Sequence, residues 1–208
     1  MSKCAQCVRY IGHIVRCIGY IKHLHRQYLP AAAGAPQRNW PFICKFSYMT
    51  SKQSAGVLLY RRKTTTIEVF LVHPGGPFWR NKDSGVWTIP KGEFSDGEPA
   101  LDAAMREFRE ETGHMLKGPF QPLSPVRQKG GKRVFAWATQ GDLDPEKIVS
   151  NTFELEWPRR SGKQQTFPEV DKGGWFSLAD ARQVINPAQI ALLEELEETV
   201  TGKDGKGN

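Results

Sequence analysis

The sequence has 208 residues, which allows one domain with a sizeable core and additional segments. The formal net charge of +7 comes from residues 1–48, which hold seven basic and no acidic residues, whereas 22 basic and 22 acidic residues balance in residues 49–208. This balance argues against nucleic acid as a partner. Because all four cysteines lie within the first 44 residues, a disulfide framework is excluded from the rest of the chain.

The N-terminal extension, residues 1–48, has three interpretations. Cys4 and Cys7 with nearby histidines form a zinc site, or residues 8–29 form a basic amphipathic helix for a membrane surface or for organellar import. The third interpretation, favoured by the abrupt change in charge and cysteine content, is that the extension is not native and that Met49 starts the protein. Charged residues interrupt its apolar positions too often for a transmembrane segment, and the cysteine-free remainder suits the reducing cytoplasm.

Two strands and a loop are predicted next. Residues 54–61 and 66–73 combine apolar and β-branched residues in a pattern typical of strands. Residues 73–84 are rich in glycine, proline and aromatic residues, which predicts a long loop, and Trp79 in this loop is a candidate for stacking on a base. Residues 87–91 predict a short strand that runs into a glycine loop.

A helix is predicted over residues 99–112, because apolar side chains recur at helical spacing and a glycine follows at the C-cap position. Glu107, Glu110 and Glu111 stand at i, i+3 and i+4, so the helix presents all three carboxylates on one face. Adjacent negative charges destabilise a helix unless a cation neutralises them, and a cluster of oxygen ligands suits a hard ion such as Mg²⁺ or Mn²⁺.

The remaining pattern predicts the fold class. Further strands are predicted at residues 133–139, 152–157 and 174–177, followed by a helix from residue 178 and an amphipathic helix over residues 187–200. Strands interrupted by one central and one terminal helical region predict an α/β protein, specifically an α/β/α sandwich with a mixed β-sheet. The glycine- and lysine-rich residues 202–208 are predicted to be a disordered tail.

The segment from Gly92 to Gly113 resembles the signature of the Nudix hydrolase family. That signature reads glycine, five residues, glutamate, seven residues, Arg-Glu, an aliphatic residue, one residue, Glu-Glu, one residue, glycine and an aliphatic residue. Its fixed positions are occupied at the same spacing by Gly92, Glu98, Arg106, Glu107, Glu110, Glu111 and Gly113. The last aliphatic position holds His114, a departure that concerns packing more than chemistry. The resemblance implies the Nudix fold for residues 49–201 and hydrolysis of phosphoanhydride bonds.

The resemblance also implies roles for the motif residues. It assigns the metal ligands to the Gly92 carbonyl group and to the carboxylates of Glu98, Glu107, Glu110 and Glu111, with Mg²⁺ as the cofactor and Mn²⁺ as a substitute. Arg106 would brace the carboxylates, and Glu107 and Glu110 would belong to the reacting centre. The family places its catalytic base either on the motif helix, here Glu107, or on a later loop, for which Glu169 is the candidate.

The resemblance to one branch of the family concerns the substrate. Residues 87–92 read Trp-Thr-Ile-Pro-Lys-Gly and are similar to the Trp-x-x-Pro-Lys-Gly segment of diadenosine polyphosphate hydrolases, in which Lys91 would contact a phosphate. Lys129, Lys132 and Arg133 form a basic cluster that would bind further phosphates, with a solvated turn as the alternative.

The favoured substrate is therefore a dinucleoside polyphosphate. The alternatives are a nucleoside triphosphate in a sanitising pyrophosphohydrolase, a 5′-phosphorylated RNA end, an inositol pyrophosphate, and ligand binding without catalysis. The intact motif argues against the last alternative, and the neutral charge of residues 49–208 argues against RNA. We expect a nucleotide as the binding partner and no obligatory protein partner.

Overall fold

The computed structural model describes residues 52–64 and 66–204, so the interpretations of residues 1–48 lie outside the described part of the chain. Its strands and helices, in chain order, are β1 (Gln53–Lys63), β2 (Thr66–Pro74), β3 (Lys91–Glu93), α1 (Ala100–Thr112), β4 (Gln121–Arg127), β5 (Arg133–Gln140), β6 (Thr152–Glu156), β7 (Gln164–Pro168), β8 (Val170–Ser177), α2 (Leu178–Val184) and α3 (Ile190–Asp204). Short 3₁₀ turns lie at Pro145–Lys147 and Pro187–Gln189.

Strand β1 is the centre of a six-stranded mixed sheet with the order β4-β5-β1-β2-β8, in which β3 also pairs with β1. β5 runs parallel to β1, whereas β2 and β3 pair with β1 in the antiparallel direction. β6 and β7 form a separate antiparallel hairpin. The arrangement confirms the predicted mixed sheet.

The chain from Trp87 to Pro90 lies between β1 and β2, where these strands separate. The Val57 N–H donates to the Pro90 carbonyl oxygen at 3.0 Å, and Thr88 exchanges two main-chain hydrogen bonds with Val72. Gly56 is needed at this contact, because a Cβ there would lie 2.5 Å from the Pro90 carbonyl oxygen. The close approach sets the position of the residues that follow Pro90.

The predicted strand over residues 87–91 is wrong in its position. Trp87 and Thr88 form only isolated bridges, and the continuous strand is Lys91–Glu93. Pro90 separates the two parts because it has no N–H to donate to a neighbouring strand. The buried side chain of Gln189 holds this irregular segment, since its Oε1 accepts from the Ile89 N–H at 3.1 Å.

Two hydrophobic cores lie on opposite faces of the sheet. One contains Ala103, Ala104 and Phe108 of α1 against Val57 and Phe70 of the sheet. The other contains apolar residues of α2 and α3 against the opposite face of the strands, namely Leu58, Val69, Leu71, Ala181, Leu192, Leu193 and Leu196. The predicted α/β/α sandwich is therefore confirmed, and α1 is the only helix of eight or more residues on its face among the described residues.

The structure adds two strands that the sequence pattern did not indicate, β4 and β7. It also extends predicted elements: β8 begins at Val170 rather than at residue 174, and α3 continues to Asp204, into the predicted disordered tail. Within the described residues, no helix combines the length and the apolar character needed to cross a bilayer.

Candidate active site

Helix α1 carries the acidic cluster. The helix starts after Pro99 and ends at Gly113, whose φ of 75° is the left-handed conformation that glycine adopts without strain. Phe108 is fully buried between the helix and the sheet, whereas Glu107 and Glu110 are only partly exposed. The predicted helix and its cap are thus confirmed.

The guanidinium group of Arg106 connects three of the motif carboxylates. It donates two hydrogen bonds to Glu98, at 2.9 and 3.0 Å. Its Nη1 also donates to Glu107 at 2.7 Å and to Glu110 at 3.0 Å. These contacts raise the pKa of Arg106, with the Glu98 hydrogen bond as the largest favourable contribution. Arg106 therefore holds the carboxylates of two different chain segments in a fixed arrangement.

Among the described residues, Glu107 and Glu111 are the carboxyl groups whose pKa is raised. Burial raises the pKa of Glu107, and the Arg106 contacts offset this effect only in part. Burial likewise raises the pKa of Glu111 to about 7, although the Lys91 charge and the Lys91 main-chain N–H, which donates to Glu111 Oε2 at 3.0 Å, favour the ionised form. A further cation at this face would stabilise both carboxylates.

Lys91 and Gly92 form the opposite wall of the site. Burial lowers the pKa of Lys91, and its attraction to Glu111 and Glu107 opposes this shift. Gly92 lies against Glu107, because a Cβ at Gly92 would be 1.8 Å from Glu107 Oε2. The motif glycine thus makes room for a carboxylate.

Glu169 lies between β7 and β8 and is tied to α1 through main-chain hydrogen bonds. The Asn151 N–H donates to the Glu110 carbonyl at 2.9 Å, and the Glu169 N–H donates to the Asn151 carbonyl at 2.8 Å. The Glu169 residue is exposed, and its charge adds to the larger effect of burial in raising the pKa of Glu107 and Glu111. The structure therefore places Glu169 within electrostatic range of the motif carboxylates.

The predicted substrate-binding residues lie in two places. Lys132 joins the acidic site, since its Nζ contacts Glu93 at 3.0 Å and its charge contributes to the lowered pKa of Lys91 after the larger effect of burial. Lys129 and Arg133 share the β4–β5 hairpin with Lys132 but make no ion pair with any described carboxylate. Trp79 lies apart from this group, on the loop between β2 and β3.

Glu93 and Asn151 are site residues that sequence reasoning missed. Glu93 contacts Lys132, and its carbonyl oxygen accepts from Arg106 at 3.4 Å. Asn151 connects α1 to the segment of Glu169 through its main chain alone. No local pattern indicates such contacts, because their partners lie far along the sequence.

The donor set fits a hard divalent cation. It consists of oxygen atoms only, and two of its carboxylates are held in surroundings that disfavour their charge. Within the described residues no three His, Cys, Asp or Glu side chains converge in a geometry that holds a metal. Arg106 contacts one oxygen each of Glu107 and Glu110, and the Lys91 N–H contacts one oxygen of Glu111. The residues therefore match the cation in chemistry, and their contacts here are with protein groups.

Comparisons with known proteins agree with this geometry. The sequence profile of the NUDIX domain matches residues 50–196. The Rattus norvegicus protein bis(5′-nucleosyl)-tetraphosphatase (asymmetrical) is 32% identical over 111 residues, which are 47% of this chain and 71% of the rat protein. An 8-oxo-(d)GTP phosphatase from Mycolicibacterium smegmatis is 34% identical over 119 residues, which are 50% of this chain and 34% of that protein. The chain thus spans about a third of the length of the bacterial relative.

Solved structures share the fold at low sequence identity. A C. elegans Ap4A hydrolase in a binary complex has a TM-score of 0.50 and 23% identity, and the match covers 73% of this chain and 98% of the other. The NUDIX domain of Shewanella oneidensis NrtR in complex with ADP ribose has a TM-score of 0.52 and 15% identity, with coverages of 74% and 90%. Both likenesses show the same sandwich architecture.

Proposed function

We propose that this chain, which belongs to the NUDIX domain family, is a phosphoanhydride hydrolase that cleaves dinucleoside polyphosphates with the help of a divalent cation. The observation that carries the proposal is that one guanidinium group binds Glu98, Glu107 and Glu110, while the main chain of the half-buried Lys91 donates to Glu111 of the same helix. An anionic site next to the half-buried Lys91 suits a substrate that arrives as a metal-bound polyphosphate.

Glu107, Glu110 and Glu111 would hold the cation, together with the carbonyl oxygen of Gly92. Glu98 accepts two hydrogen bonds from Arg106, and this contact favours a bracing role for Glu98 over that of a ligand. A cation held there would neutralise phosphate oxygens and acidify a water molecule.

The protein's own residues supply the remaining functions. Lys91 contacts a non-bridging phosphate oxygen, and its position beside Glu111 orients the substrate relative to the acidic cluster. Glu169 accepts the proton of the attacking water, because it is exposed and lies within electrostatic range of Glu107 and Glu111. Glu107 is the alternative base. Arg106 keeps the carboxylates of Glu98, Glu107 and Glu110 in position while negative charge shifts between the phosphate oxygens during the reaction.

The preference for a dinucleoside polyphosphate is supported by the rat relative, because the match covers 71% of that protein at 32% identity. A second candidate, an oxidised nucleoside triphosphate, is supported by the bacterial relative at 34% identity. That match covers only 34% of the bacterial protein, so it supports the second candidate less strongly.

Incubation of the purified chain with Mg²⁺ and a nucleotide panel, with products identified by mass, tests the proposal. We expect diadenosine tetraphosphate to give a mononucleotide and a nucleoside triphosphate, with a higher kcat/KM than 8-oxo-dGTP or ATP. Chelation of divalent ions should abolish turnover, and Mn²⁺ should restore part of it. A higher kcat/KM for 8-oxo-dGTP would instead establish the second candidate.

A further inference from the structure

A cluster of exposed aromatic and cationic side chains lies outside the acidic site. Phe78 and Trp79, which are 40% and 39% exposed, are the exposed large aromatic residues of the described chain. Phe78 meets the ring of Trp157 edge to face at a centroid distance of 5.4 Å. The Arg159 guanidinium lies 4.9 Å from the centre of the Phe78 ring, and Lys82 Nζ lies 5.0 Å from that of Trp79. Two separate chain segments therefore bring aromatic rings and cations together.

The loop that carries Phe78 and Trp79 is fixed to the segment of Glu169. The Gly75 N–H donates to the Glu169 carbonyl oxygen at 2.8 Å. Contact is so close that a Cβ at Gly75 would lie 2.1 Å from the Pro168 carbonyl oxygen. Lys82 lies at the other end of the loop, and its carbonyl oxygen is 2.6 Å from the buried ring of His73. The same ring lies 2.7 Å from Asp171 Oδ1. The aromatic cluster thus has a defined position relative to the proposed base.

A cavity of about 130 Å³ lies between the loop and the β6–β7 hairpin, lined by Gly76, Pro77, Arg80, Phe167, Pro168 and Asp171. One of these residues, Pro168, directly precedes Glu169 in the sequence. Arg80 forms no ion pair with any described residue, and the one carboxylate in the cavity lining, Asp171, is paired with the His73 ring. The cluster and the cavity together combine ring faces with cations, which is the chemistry that recognises a base attached to phosphate.

We propose that Phe78, Trp79 and Arg159 form the binding site for the second nucleobase of a dinucleoside polyphosphate, and that Arg80 contacts the phosphate chain between this base and the acidic cluster. This inference rests on the proposed function. It adds a specificity site on the β2–β3 loop and the β6–β7 hairpin. The occupant is a purine base, because an extended π-system gains most from stacking on the Phe78 and Trp79 rings next to cations.

Binding of two unreactive ligands to the full chain tests this site. The ligands are diadenosine tetraphosphate with methylene groups in place of the bridging oxygens, and the matching adenosine tetraphosphate, which lacks the second nucleoside. Isothermal titration in the presence of Mg²⁺ gives Kd for the wild type and for Phe78→Ala, Trp79→Ala and Arg159→Gln. Lys163→Gln is the matched control, because it removes the same charge from the same hairpin and Lys163 has no ring contact.

We expect the two alanine variants to weaken binding of the dinucleoside ligand about tenfold each, the size of one lost stacking contact, and to leave binding of the mononucleoside ligand within about twofold. Arg159→Gln should act in the same direction, and Lys163→Gln should change neither Kd. Equal weakening of both ligands, no weakening, or no binding of the dinucleoside ligand would overturn the inference. Because neither ligand is hydrolysed, a chain that binds as expected but does not turn over diadenosine tetraphosphate would refute only the proposed activity.

Discussion

Arg106 and Glu98 are joined by two hydrogen bonds, of 2.9 and 3.0 Å, although eight positions separate them in the sequence. The pair links the chain before α1 to the middle of the helix. Because the same guanidinium also binds Glu107 and Glu110, the geometry of the reacting centre depends on a planar, forked donor.

Arg106→Lys should therefore reduce kcat/KM at least about 100-fold, since an ammonium group cannot bind three carboxylates in one plane. The melting temperature should fall by about 2–4 °C, which corresponds to roughly 1 kcal/mol of lost ion pairing in a chain of this size. Steady-state kinetics and calorimetry measure the two effects. Activity within about threefold of the wild type would show that the several hydrogen bonds of the guanidinium group are not needed for catalysis.

Gly92→Ala should disturb the site more than the fold. The added methyl group would occupy the position of the Glu107 carboxylate, 1.8 Å from Oε2, so Glu107 must move. We expect turnover to fall at least about tenfold, with a change in melting temperature of no more than about 4 °C. Gly202→Ala is the control, because a Cβ there meets nothing within 4 Å, and it should leave turnover unchanged.

Glu110→Gln and Glu111→Gln should each lower turnover at least about 100-fold while the fold is retained, because each keeps the shape of the side chain and removes an anionic ligand. Without divalent ions, Glu111→Gln should hold or raise the melting temperature, since the protein opposes ionisation of this carboxyl group. Circular dichroism and thermal scans in chelator measure stability. Near-normal turnover of both variants would show that the cation is held elsewhere.

The Arg61–Glu68 pair should make stability depend on pH. Burial opposes ionisation of Glu68, but the hydrogen bond and charge of Arg61, at 2.7–2.8 Å, outweigh it, and the pKa of Glu68 is lowered from 4.5. Because the folded pKa is depressed, the contribution of Glu68 is present above pH 4.5 and is lost as the pH falls through the folded pKa.

Glu68→Gln should accordingly lower the melting temperature by about 2–4 °C at pH 7, and this difference should shrink as the pH falls below the pKa of the unfolded carboxyl group. Thermal scans of both proteins across this range measure the effect. Glu154→Gln, which removes the same charge at an exposed position of β6, is the control for a general change in charge. A constant difference at all pH values would assign the effect to packing.

The sequence pattern predicted the parts of the fold that short-range order determines. Helical period and the capping glycine located α1, and the spacing of Glu107, Glu110 and Glu111 was sufficient to place their carboxylates on one face of that helix. β4 was missed because Pro122 and Pro125 argue against a strand. β4 tolerates them as an edge strand that pairs only with β5, with a register shift between Leu123 and Val126.

Long-range contacts explain the remaining differences. β7 consists mainly of exposed polar residues and acquires its conformation from pairing with β6, so its own sequence lacks an alternating pattern. The contact of Lys132 with Glu93 joins residues 39 positions apart. Neither secondary-structure propensity nor hydrophobic periodicity carries information about such pairs. The family resemblance identified the motif residues but not the residues that contact them.

The hydrogen bonds that run from Glu110 through Asn151 and Glu169 to Gly75 are all made by main-chain atoms. Side-chain replacements at Glu110, Asn151 and Glu169 therefore remove none of these hydrogen bonds, whereas Gly75 has no room for a side chain. Side chains on the loop that carries Phe78 and Trp79, and at the tip of the β6–β7 hairpin, can accordingly be varied, by evolution or in a combinatorial library, without changing the positions of the motif carboxylates. Selectivity and catalytic power are in this sense separately adjustable properties of the chain.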